Sequence, residues 1–161
     1  MTPAHALAAE VLDRARARGV MIALAESCTG GLVSAALTEI AGSSAVVDRG
    51  FVTYTNEAKQ ELLGVKAGTL ERFGAVSSQT AGEMASGALS RSQAGLAVSI
   101  TGVAGPGGGS VEKPIGLVWF ALAHKGRDVR TVERRFGDAG RERVRSMSVE
   151  TALTLLRDAL R

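Results

Sequence analysis

The stretch Glu-Ser-Cys-Thr-Gly-Gly at residues 26–31 constrains the fold more than any other part of this sequence. It follows a short apolar run at 20–25, which has the length of a buried strand, and it opens a helical pattern at 31–40. A strand, a tight glycine turn and a helix in immediate succession are typical of an α/β fold. The turn also carries small hydroxyl side chains where the helix begins, so we expect a potential nucleophile beside free backbone amides.

Two interpretations of this turn follow from its chemistry. The first amides of a helix lack intrahelical partners and favour a phosphate or an oxygen that becomes negative during a reaction. Gly30 and Gly31 would let a ligand approach the backbone closely. The alternative is that Ser27 or Thr29 only caps the helix, because Ser and Thr commonly satisfy the same amides. Cys28 is not the expected nucleophile, since a small buried thiol beside a strand is commonly inert.

The rest of the chain continues this alternation of helices and strands. Helices are predicted over 5–18, 57–63, 79–90 and 140–161, a short turn over 69–73, and further strands over 45–54, 96–100, 115–123 and 129–136. Gly126 lies between the last two strands, which indicates an antiparallel hairpin. The predicted fold is therefore α/β, with a single three-layer α/β/α domain over residues 1–161 around a mixed, mostly parallel sheet.

Composition narrows the class of protein. Apolar residues make up 45% of the 161 residues and charged residues 22%, which is typical of globular chains. No apolar run approaches the ~20 residues that span a bilayer, and the N-terminus does not resemble a signal peptide, so a cytoplasmic protein with no membrane partner is expected. The net charge of +3 and the 4% aromatic content support nucleic-acid binding only weakly. A nucleic-acid accessory role remains a third, weaker alternative.

A serine hydroxyl needs a neighbouring base before it becomes a good nucleophile, and the sequence offers few candidates. The only histidines are His5, in the first predicted helix, and His124, in the predicted hairpin turn. A Ser-His-acid triad is therefore not expected, and the same scarcity argues against a zinc site. Lys59 begins a predicted helix at the same edge of the sheet as Ser27, and burial could leave its amine neutral. Taken alone, a lysine at this position is more often an ordinary surface residue of the helix.

Polar and glycine-rich segments elsewhere offer further candidates. The loop at 101–110 contains Thr101, Gly102 and Gly105 and could supply backbone amides to a ligand, or could simply be a flexible surface loop. Glu26 could hold Lys59 or the turn in place, or could be a plain charge at a strand end. The pair Trp119 and Phe120 lies within a strand and is expected in the core.

Two arginines open the last predicted helix. Arg141 and Arg145 are four residues apart, so they share one helix face, while Arg143 points elsewhere. Two guanidinium groups near a helix N-terminus form a competent phosphate clamp. The alternative is a solvated face whose charges pair with Glu142 and Glu150.

Five ordered motifs together resemble one known family. They are Ala-Glu-Ser-Cys-Thr-Gly-Gly at 25–31, Gly-Phe-Val-Thr-Tyr-Thr-Asn-Glu-Ala-Lys at 50–59, Gly-Ala-Val-Ser at 74–77, Ser-Ile-Thr-Gly-Val-Ala-Gly-Pro-Gly-Gly at 99–108, and Lys-Pro-Ile-Gly-Leu-Val-Trp-Phe at 113–120. The sequence resembles the CinA C-terminal domain family over nearly its whole length. The enzymatic members of that family are the nicotinamide-nucleotide amidases, or NMN deamidases.

The resemblance implies a specific activity. It implies hydrolysis of the carboxamide of nicotinamide mononucleotide to nicotinate mononucleotide and ammonia, without cofactor or metal, in pyridine-nucleotide recycling. It assigns Ser27 as the nucleophile and Lys59 as the base, and it suggests a homodimer. The other residues to which a role in oxyanion or substrate binding is assigned are Cys28, Thr29, Gly30, Gly31, Tyr54, Asn56, Thr101, Gly102, Gly105, Arg141 and Arg145.

The sequence differs from the family pattern in two respects, and one alternative function stays open. Many family members carry a large N-terminal domain related to molybdopterin-binding proteins, which this sequence does not contain. Thr101-Gly-Val stands where many relatives have Ser-Gly-Ile, a mild difference away from the expected dyad. The rival is a non-catalytic nucleotide-binding or regulatory module, which would keep the glycines and arginines without needing Ser27 and Lys59 as reactive groups.

Overall fold

The computed structural model describes residues 2–161, which form six helices and five strands. In chain order these are α1 (Pro3–Arg18), β1 (Ile22–Glu26), α2 (Leu32–Thr38), β2 (Val47–Val52), α3 (Asn56–Leu63), α4 (Ala67–Phe73), α5 (Ser78–Ser90), β3 (Leu96–Gly102), β4 (Leu117–His124), β5 (Arg130–Arg135) and α6 (Arg141–Ala159). A short 3₁₀ turn, Ser43–Ala45, precedes β2.

The five strands form one sheet in the order β2-β1-β3-β4-β5. Strand β1 is parallel to both β2 and β3, whereas β4 is antiparallel to β3 and to β5. Four strands therefore run in one direction and only β4 opposes them. The predicted mixed sheet with its antiparallel hairpin is confirmed, and the carboxyl ends of β1, β2 and β3 lie together at one edge.

Helices cover both faces of the sheet, because side chains alternate across each strand. In β1, Ile22 and Leu24 belong to a core formed with α1, α2 and α6. Ala23 and Ala25 belong to a second core, formed with α3, α4 and α5. This pattern confirms the three-layer α/β/α arrangement. The small alanines on the second face let its helices lie close to the sheet.

Helix α5 also makes a close contact with the end of α3. A Cβ atom built on Gly87 would lie 1.9 Å from the carbonyl oxygen of Leu63, far closer than atoms can approach. Only glycine therefore permits this spacing between the two helices. At Gly87 the close neighbour of α5 is therefore α3 rather than the sheet. This contact positions the helix that carries Lys59.

Several details differ from the sequence-based expectations. Strand β3 continues to Gly102, so Thr101 and Gly102 lie in this strand rather than in the predicted loop at 101–110. The predicted turn at 69–73 is the helix α4, and the predicted strand 45–54 begins at Val47 because the 3₁₀ turn occupies the residues before it. His124 ends β4 rather than lying in the hairpin turn. Phe120 is fully buried as expected, whereas Trp119 is only half-buried at the edge of the second core.

None of the helices within residues 2–161 combines the length and the hydropathy needed to cross a bilayer. Across the same residues, no three His, Cys, Asp or Glu side chains are grouped so that they could bind a metal ion.

Candidate active site

The candidate site lies where β1 and its two parallel neighbours end. The backbone amide of Ser27 donates a 2.9 Å hydrogen bond to the carbonyl of Ile100, and the amide of Thr53 donates a 2.9 Å bond to the carbonyl of Glu26. The parallel pairing thus continues one residue beyond each strand. As a result Ser27 lies between the ends of β2 and β3, at the edge where ligands commonly bind in open α/β sheets.

Helix α3 brings Lys59 to Ser27. The hydroxyl of Thr55 accepts a 3.0 Å hydrogen bond from the amide of Ala58 and so caps α3 one turn before the lysine. The side chain of Lys59 is only 1% exposed, and its Nζ lies 3.1 Å from Ser27 Oγ. The structure therefore brings together the two residues that the sequence proposed as nucleophile and base.

The surroundings of Lys59 favour an uncharged amine. Burial lowers the pKa of Lys59 below its ordinary value of 10.5, and the nearby Cys28 thiol opposes this only in smaller part. Within residues 2–161, no carboxylate lies within salt-bridge distance of Nζ, whose other neighbours are the backbone carbonyls of Thr53 at 3.0 Å and Tyr54 at 3.2 Å. The usual compensation for a buried ammonium group is thus missing here.

The number of contacts around Lys59 Nζ also matches the neutral form. A neutral amine has two N–H donors and one lone pair. The carbonyls of Thr53 and Tyr54 accept the two hydrogen bonds, and the third neighbour, Ser27 Oγ, can donate its proton to the lone pair. The arrangement can therefore withdraw a proton from the hydroxyl of Ser27.

Glu26 organises the turn that follows. Its carboxylate is fully buried and accepts five hydrogen bonds. Oε1 accepts from Thr29 Oγ1 at 2.6 Å and from the amides of Gly31 and Val33 at 3.2 and 2.9 Å. Oε2 accepts from the amide and the hydroxyl of Ser34, at 2.9 and 2.7 Å. The carboxylate therefore neutralises the positive end of α2.

This contact decides between the two roles left open for the turn's hydroxyl groups. Gly31 is the N-cap residue of α2, and no side chain of the cap itself accepts a bond there. Glu26 supplies the acceptor instead, so the interpretation of Ser27 or Thr29 as the helix cap is wrong. The start of α2 is likewise already occupied by an anion, which removes it as a phosphate site.

Only part of the turn keeps its backbone amides available. The amide of Gly30 donates to the carbonyl of Ser27 at 3.0 Å, and that of Gly31 donates to Glu26. The amides of Cys28 and Thr29 donate to no oxygen within residues 2–161. The expected oxyanion site therefore narrows to these two N–H groups, which directly follow the hydroxyl of Ser27.

Arg145 fixes the direction of one of these amides. Its Nε donates a 3.0 Å hydrogen bond to the carbonyl of Cys28, and its Nη2 lies 3.4 Å from the carbonyl of Thr29. In a trans peptide the N–H points opposite to the C=O. The bond to Cys28 therefore turns the amide of Thr29 away from the guanidinium group, and Arg145 acts on the turn through its backbone.

Arg141 connects three segments around the site. Its Nη1 donates to the carbonyl of Gly105 at 2.9 Å, and its Nη2 donates to the phenol oxygen of Tyr54 at 2.8 Å. Neither Arg141 nor Arg145 forms a salt bridge with a carboxylate of residues 2–161. Two uncompensated positive charges therefore border the site, on the side of α6, as the sequence proposed.

The remaining residues predicted at the site have other surroundings in the structure. The hydroxyl of Thr101 donates to the carbonyl of Ala75 at 2.8 Å. A Cβ atom on Gly102 would lie 2.7 Å from the side chain of Val118, so this glycine serves packing. Asn56 is exposed at the start of α3, and its backbone carbonyl accepts a 3.3 Å hydrogen bond from the side chain of Gln60. Burial raises the pKa of the Cys28 thiol to about 11, which keeps it protonated and a poor nucleophile.

Sequence reasoning left the role of Glu26 open and missed Thr53. The available signal for Glu26 was its position as the one charge directly after an apolar run. Thr53 contributes a carbonyl to Lys59, and its buried hydroxyl has no hydrogen-bond partner within residues 2–161. A backbone contribution of this kind has no signature in the residue type.

We expect Glu26→Gln to lower the free energy of unfolding by about 2 kcal/mol or more, because hydrogen bonds to a buried charged acceptor are lost and an amide N–H₂ is turned toward other donors. Urea denaturation measures this difference. Glu39→Gln is the matched control, since Glu39 is exposed at the other end of α2. Equal stability of the two variants would show that the buried carboxylate does not hold the turn.

The chain is similar in sequence to known proteins over most of its length. Residues 4–160 match the CinA C-terminal domain. The chain is 52% identical over 158 residues to nicotinamide-nucleotide amidohydrolase PncC of Enterobacter agglomerans. The aligned residues cover 98% of this chain and 93% of that protein. It is 53% identical over 137 residues to a putative competence-damage inducible protein of Caldicellulosiruptor bescii, which covers 84% of this chain but only 33% of that longer protein.

A solved structure extends the likeness to three dimensions. The crystal structure of competence/damage inducible protein CihA from Agrobacterium tumefaciens matches with a TM-score of 0.96 at 56% sequence identity, over 99% of this chain and 96% of that chain. The sheet, the covering helices and nearly the whole sequence therefore agree with known members of one group, and this chain belongs to the CinA C-terminal domain family.

Proposed function

We propose that this chain is a nicotinamide-nucleotide amidase, which hydrolyses the carboxamide of nicotinamide mononucleotide to nicotinate mononucleotide and ammonia. The observation that carries the proposal is the buried amine of Lys59, 3.1 Å from Ser27 Oγ and without a carboxylate partner in the described chain. The near end-to-end similarity to the Enterobacter agglomerans amidohydrolase supports the choice of substrate. Such an enzyme would return nicotinamide mononucleotide to pyridine-nucleotide recycling.

In the first step, the neutral amine of Lys59 takes the proton of the Ser27 hydroxyl while Oγ attacks the carboxamide carbon. The C=O bond becomes a C–O⁻ single bond. The amides of Cys28 and Thr29, which have no oxygen acceptor within residues 2–161, donate to this oxyanion. The turn is already rigid before substrate arrives, because Glu26 and Arg145 hold it from two sides.

In the second step, the C–N bond breaks as the protonated Lys59 gives its proton to the leaving nitrogen, which departs as ammonia. Ser27 is left as an ester of the nicotinate group. Lys59, neutral again, then takes a proton from water, whose oxygen attacks the ester carbon. Collapse of this second intermediate returns the proton to Ser27 Oγ and releases the acid. Lys59 thus acts alternately as base and acid.

The substrate phosphate is assigned to the two arginines of α6. The start of α2 cannot take it, because the carboxylate of Glu26 occupies those amides. Arg141 and Arg145 border the site, carry no carboxylate partner within residues 2–161, and each has N–H groups beyond those already bonded to the protein. The nucleotide would therefore extend from Ser27 toward the N-terminus of α6.

The rival is a module that binds the nucleotide without converting it. It would need the arginines and the glycine-rich loop but would gain nothing from a buried lysine, whose desolvation is costly. The contact between Lys59 and Ser27 is therefore the feature that favours an enzyme over a binding module.

We expect purified protein to release ammonia from nicotinamide mononucleotide. Ser27→Ala removes the nucleophile and Lys59→Arg removes the base, and each should lower kcat by about 10²-fold or more, since loss of a proton acceptor alone typically costs 10² to 10⁴. Arginine is a long basic side chain like lysine but stays protonated, so it cannot accept the serine proton. Ammonia release measures the rate, and Lys66→Arg, on an exposed lysine, is the control. Wild-type binding of the nucleotide without ammonia release would support the rival module, and near-normal rates in either variant would remove the dyad.

We expect kcat/KM to rise with pH through the pKa of Lys59, which burial holds below 10.5. Below this pKa the amine is protonated and cannot accept the serine proton, so the active fraction falls as the pH falls. The same depression means that the unfolded chain binds more protons than the folded chain between the two pKa values, so stability also rises with pH over that window. Activity measured from acidic to alkaline pH checks the first point. A rate independent of pH over this whole range would contradict it.

We expect Arg141→Gln to raise KM for nicotinamide mononucleotide by about tenfold or more, the scale of one charge-assisted hydrogen bond. Steady-state kinetics with nicotinamide riboside, which has no phosphate, separates phosphate binding from general damage. Arg143→Gln removes the same charge from an exposed neighbouring position and is the control. An equal loss with both substrates would mean that Arg141 does not bind the phosphate.

A further inference from the structure

A cavity lies at the edge of the sheet opposite to Ser27. Its volume is about 360 Å³, and it is bordered by the end of α1, the β4–β5 hairpin, the start of β5 and the end of α6. Strand β3 begins beside this cavity at Leu96 and ends beside the candidate active site at Gly102, six residues later. At about 3.3 Å per residue the two places are roughly 20 Å apart. The cavity is therefore separate from the site already described.

Guanidinium groups dominate the wall of this cavity. Arg18, Arg127, Arg130 and Arg161 all line it. Arg161 is paired with Asp158 at 3.2 Å, but the other three side chains make no hydrogen bond or salt bridge within residues 2–161. Most other arginines of the described chain contact a carboxylate or a backbone carbonyl. Three like charges around one concavity repel each other until an anion compensates them.

The positive charges of the cavity also act on His124. It lines the same cavity and is half-buried, and its pKa is lowered by burial first and then by Arg127 and Arg18. The charged groups of the cavity come from every element around it. They are Arg18 of α1, Arg127 and Asp128 of the hairpin, Arg130 of β5, Asp158 of α6 and the terminal Arg161. Positive groups outnumber the carboxylates, and one of the two carboxylates is already engaged by arginines.

We propose that this cavity binds a small phosphorylated molecule, held by the guanidinium groups of Arg18, Arg127 and Arg130. Guanidinium groups match the geometry of phosphate oxygens and bind them through paired hydrogen bonds. The volume lies at the lower end of the range for small-molecule sites. Leu122 and Ala159 add an apolar wall that suits a carbon skeleton attached to the phosphate.

A small ligand fits the cavity better than a nucleic acid does. A polynucleotide backbone needs a positive surface that extends over many phosphates, often with aromatic side chains for stacking. Here the arginines surround one concavity, the lining contains no Phe, Tyr or Trp, and Asp128 and Asp158 stand in the same wall. Carboxylates would repel a continuous phosphate chain, whereas they can accept hydrogen bonds from the hydroxyl groups of a small metabolite.

The two histidines of the sequence make the test specific. An anion in the cavity offsets the charges of Arg127 and Arg18, so it raises the pKa of His124 and moves the imidazole signal of that residue toward its protonated position at a fixed pH. His5 lies on α1 outside the cavity lining and is an internal reference. The experiment is an NMR titration of the full chain with inorganic pyrophosphate, following both imidazole rings.

We expect a saturable shift of the His124 signal and no shift of His5. Arg127→Gln and Arg130→Gln should each weaken the apparent affinity by about tenfold or more, as for the loss of a charge-assisted hydrogen bond. Arg143→Gln, which removes a charge from an exposed part of α6, should leave the titration unchanged. Thermal unfolding of each variant verifies that it is folded.

Two results would overturn the proposal. One is a His124 signal that pyrophosphate does not move, or that moves equally in wild type and in the arginine variants. The other is a His124 shift produced by short duplex DNA but not by pyrophosphate, which would assign the arginines to a nucleic acid. Pyrophosphate bound only near Arg141 would leave His124 unmoved, so the titration separates this cavity from the phosphate position proposed for the substrate.

Discussion

The burial of one amine without a counter-ion is the constraint on which the rest of the site depends. Removing an ammonium group from water is costly, and the protein offers Lys59 only two backbone carbonyls and a hydroxyl in return. No carboxylate of the described chain compensates a charge on this amine, and burial lowers its pKa, so the neutral form is favoured. The cap of α3, the end of β2 and the packing of α5 together hold the amine in this environment. The fold thereby converts an ordinary lysine into a group suited to accept a proton.

In the turn after β1, some backbone amides are bonded within residues 2–161 and others are not, and the residue types alone do not show which. Glu26 saturates the amides at the start of α2, which would otherwise be the obvious anion site. Arg145 holds the turn from the other side through two carbonyl oxygens. The amides of Cys28 and Thr29 are left between these two supports. A buried negative charge and a half-buried positive charge thus brace a short piece of backbone whose own donors stay available.

The fold was largely predictable because its elements have strong local signals. Buried strands separated by helical patterns require a layered sheet, and the Gly126 turn requires an antiparallel pair. The short helix α4 was harder, since seven residues give a weak periodic signal. Trp119 was expected in the core. It lies in β4 beside the exposed edge strand β5, and it is only half-buried.

The site was predictable only where residue type carries the chemistry. A hydroxyl and an amine at one sheet edge indicated Ser27 and Lys59, and helical spacing indicated Arg141 and Arg145. The assignment of individual amides depended on hydrogen bonds that no sequence pattern records, such as those to Glu26. Asn56 shares a motif with Lys59 but lies on the exposed side of α3. The homodimer and the cytoplasmic location implied at the sequence level stay predictions.

The contact of Gly87 with the carbonyl of Leu63 has a consequence for how this protein tolerates variation. The two helices touch there with no intervening side chain, so the position of the amine is set by the thickness of an interface on the far side of α3. Any larger residue at 87 would push α3 outward and lengthen the path of the proton. A substitution at residue 87 would then reduce activity from outside the site, although every residue that lines the site is unchanged.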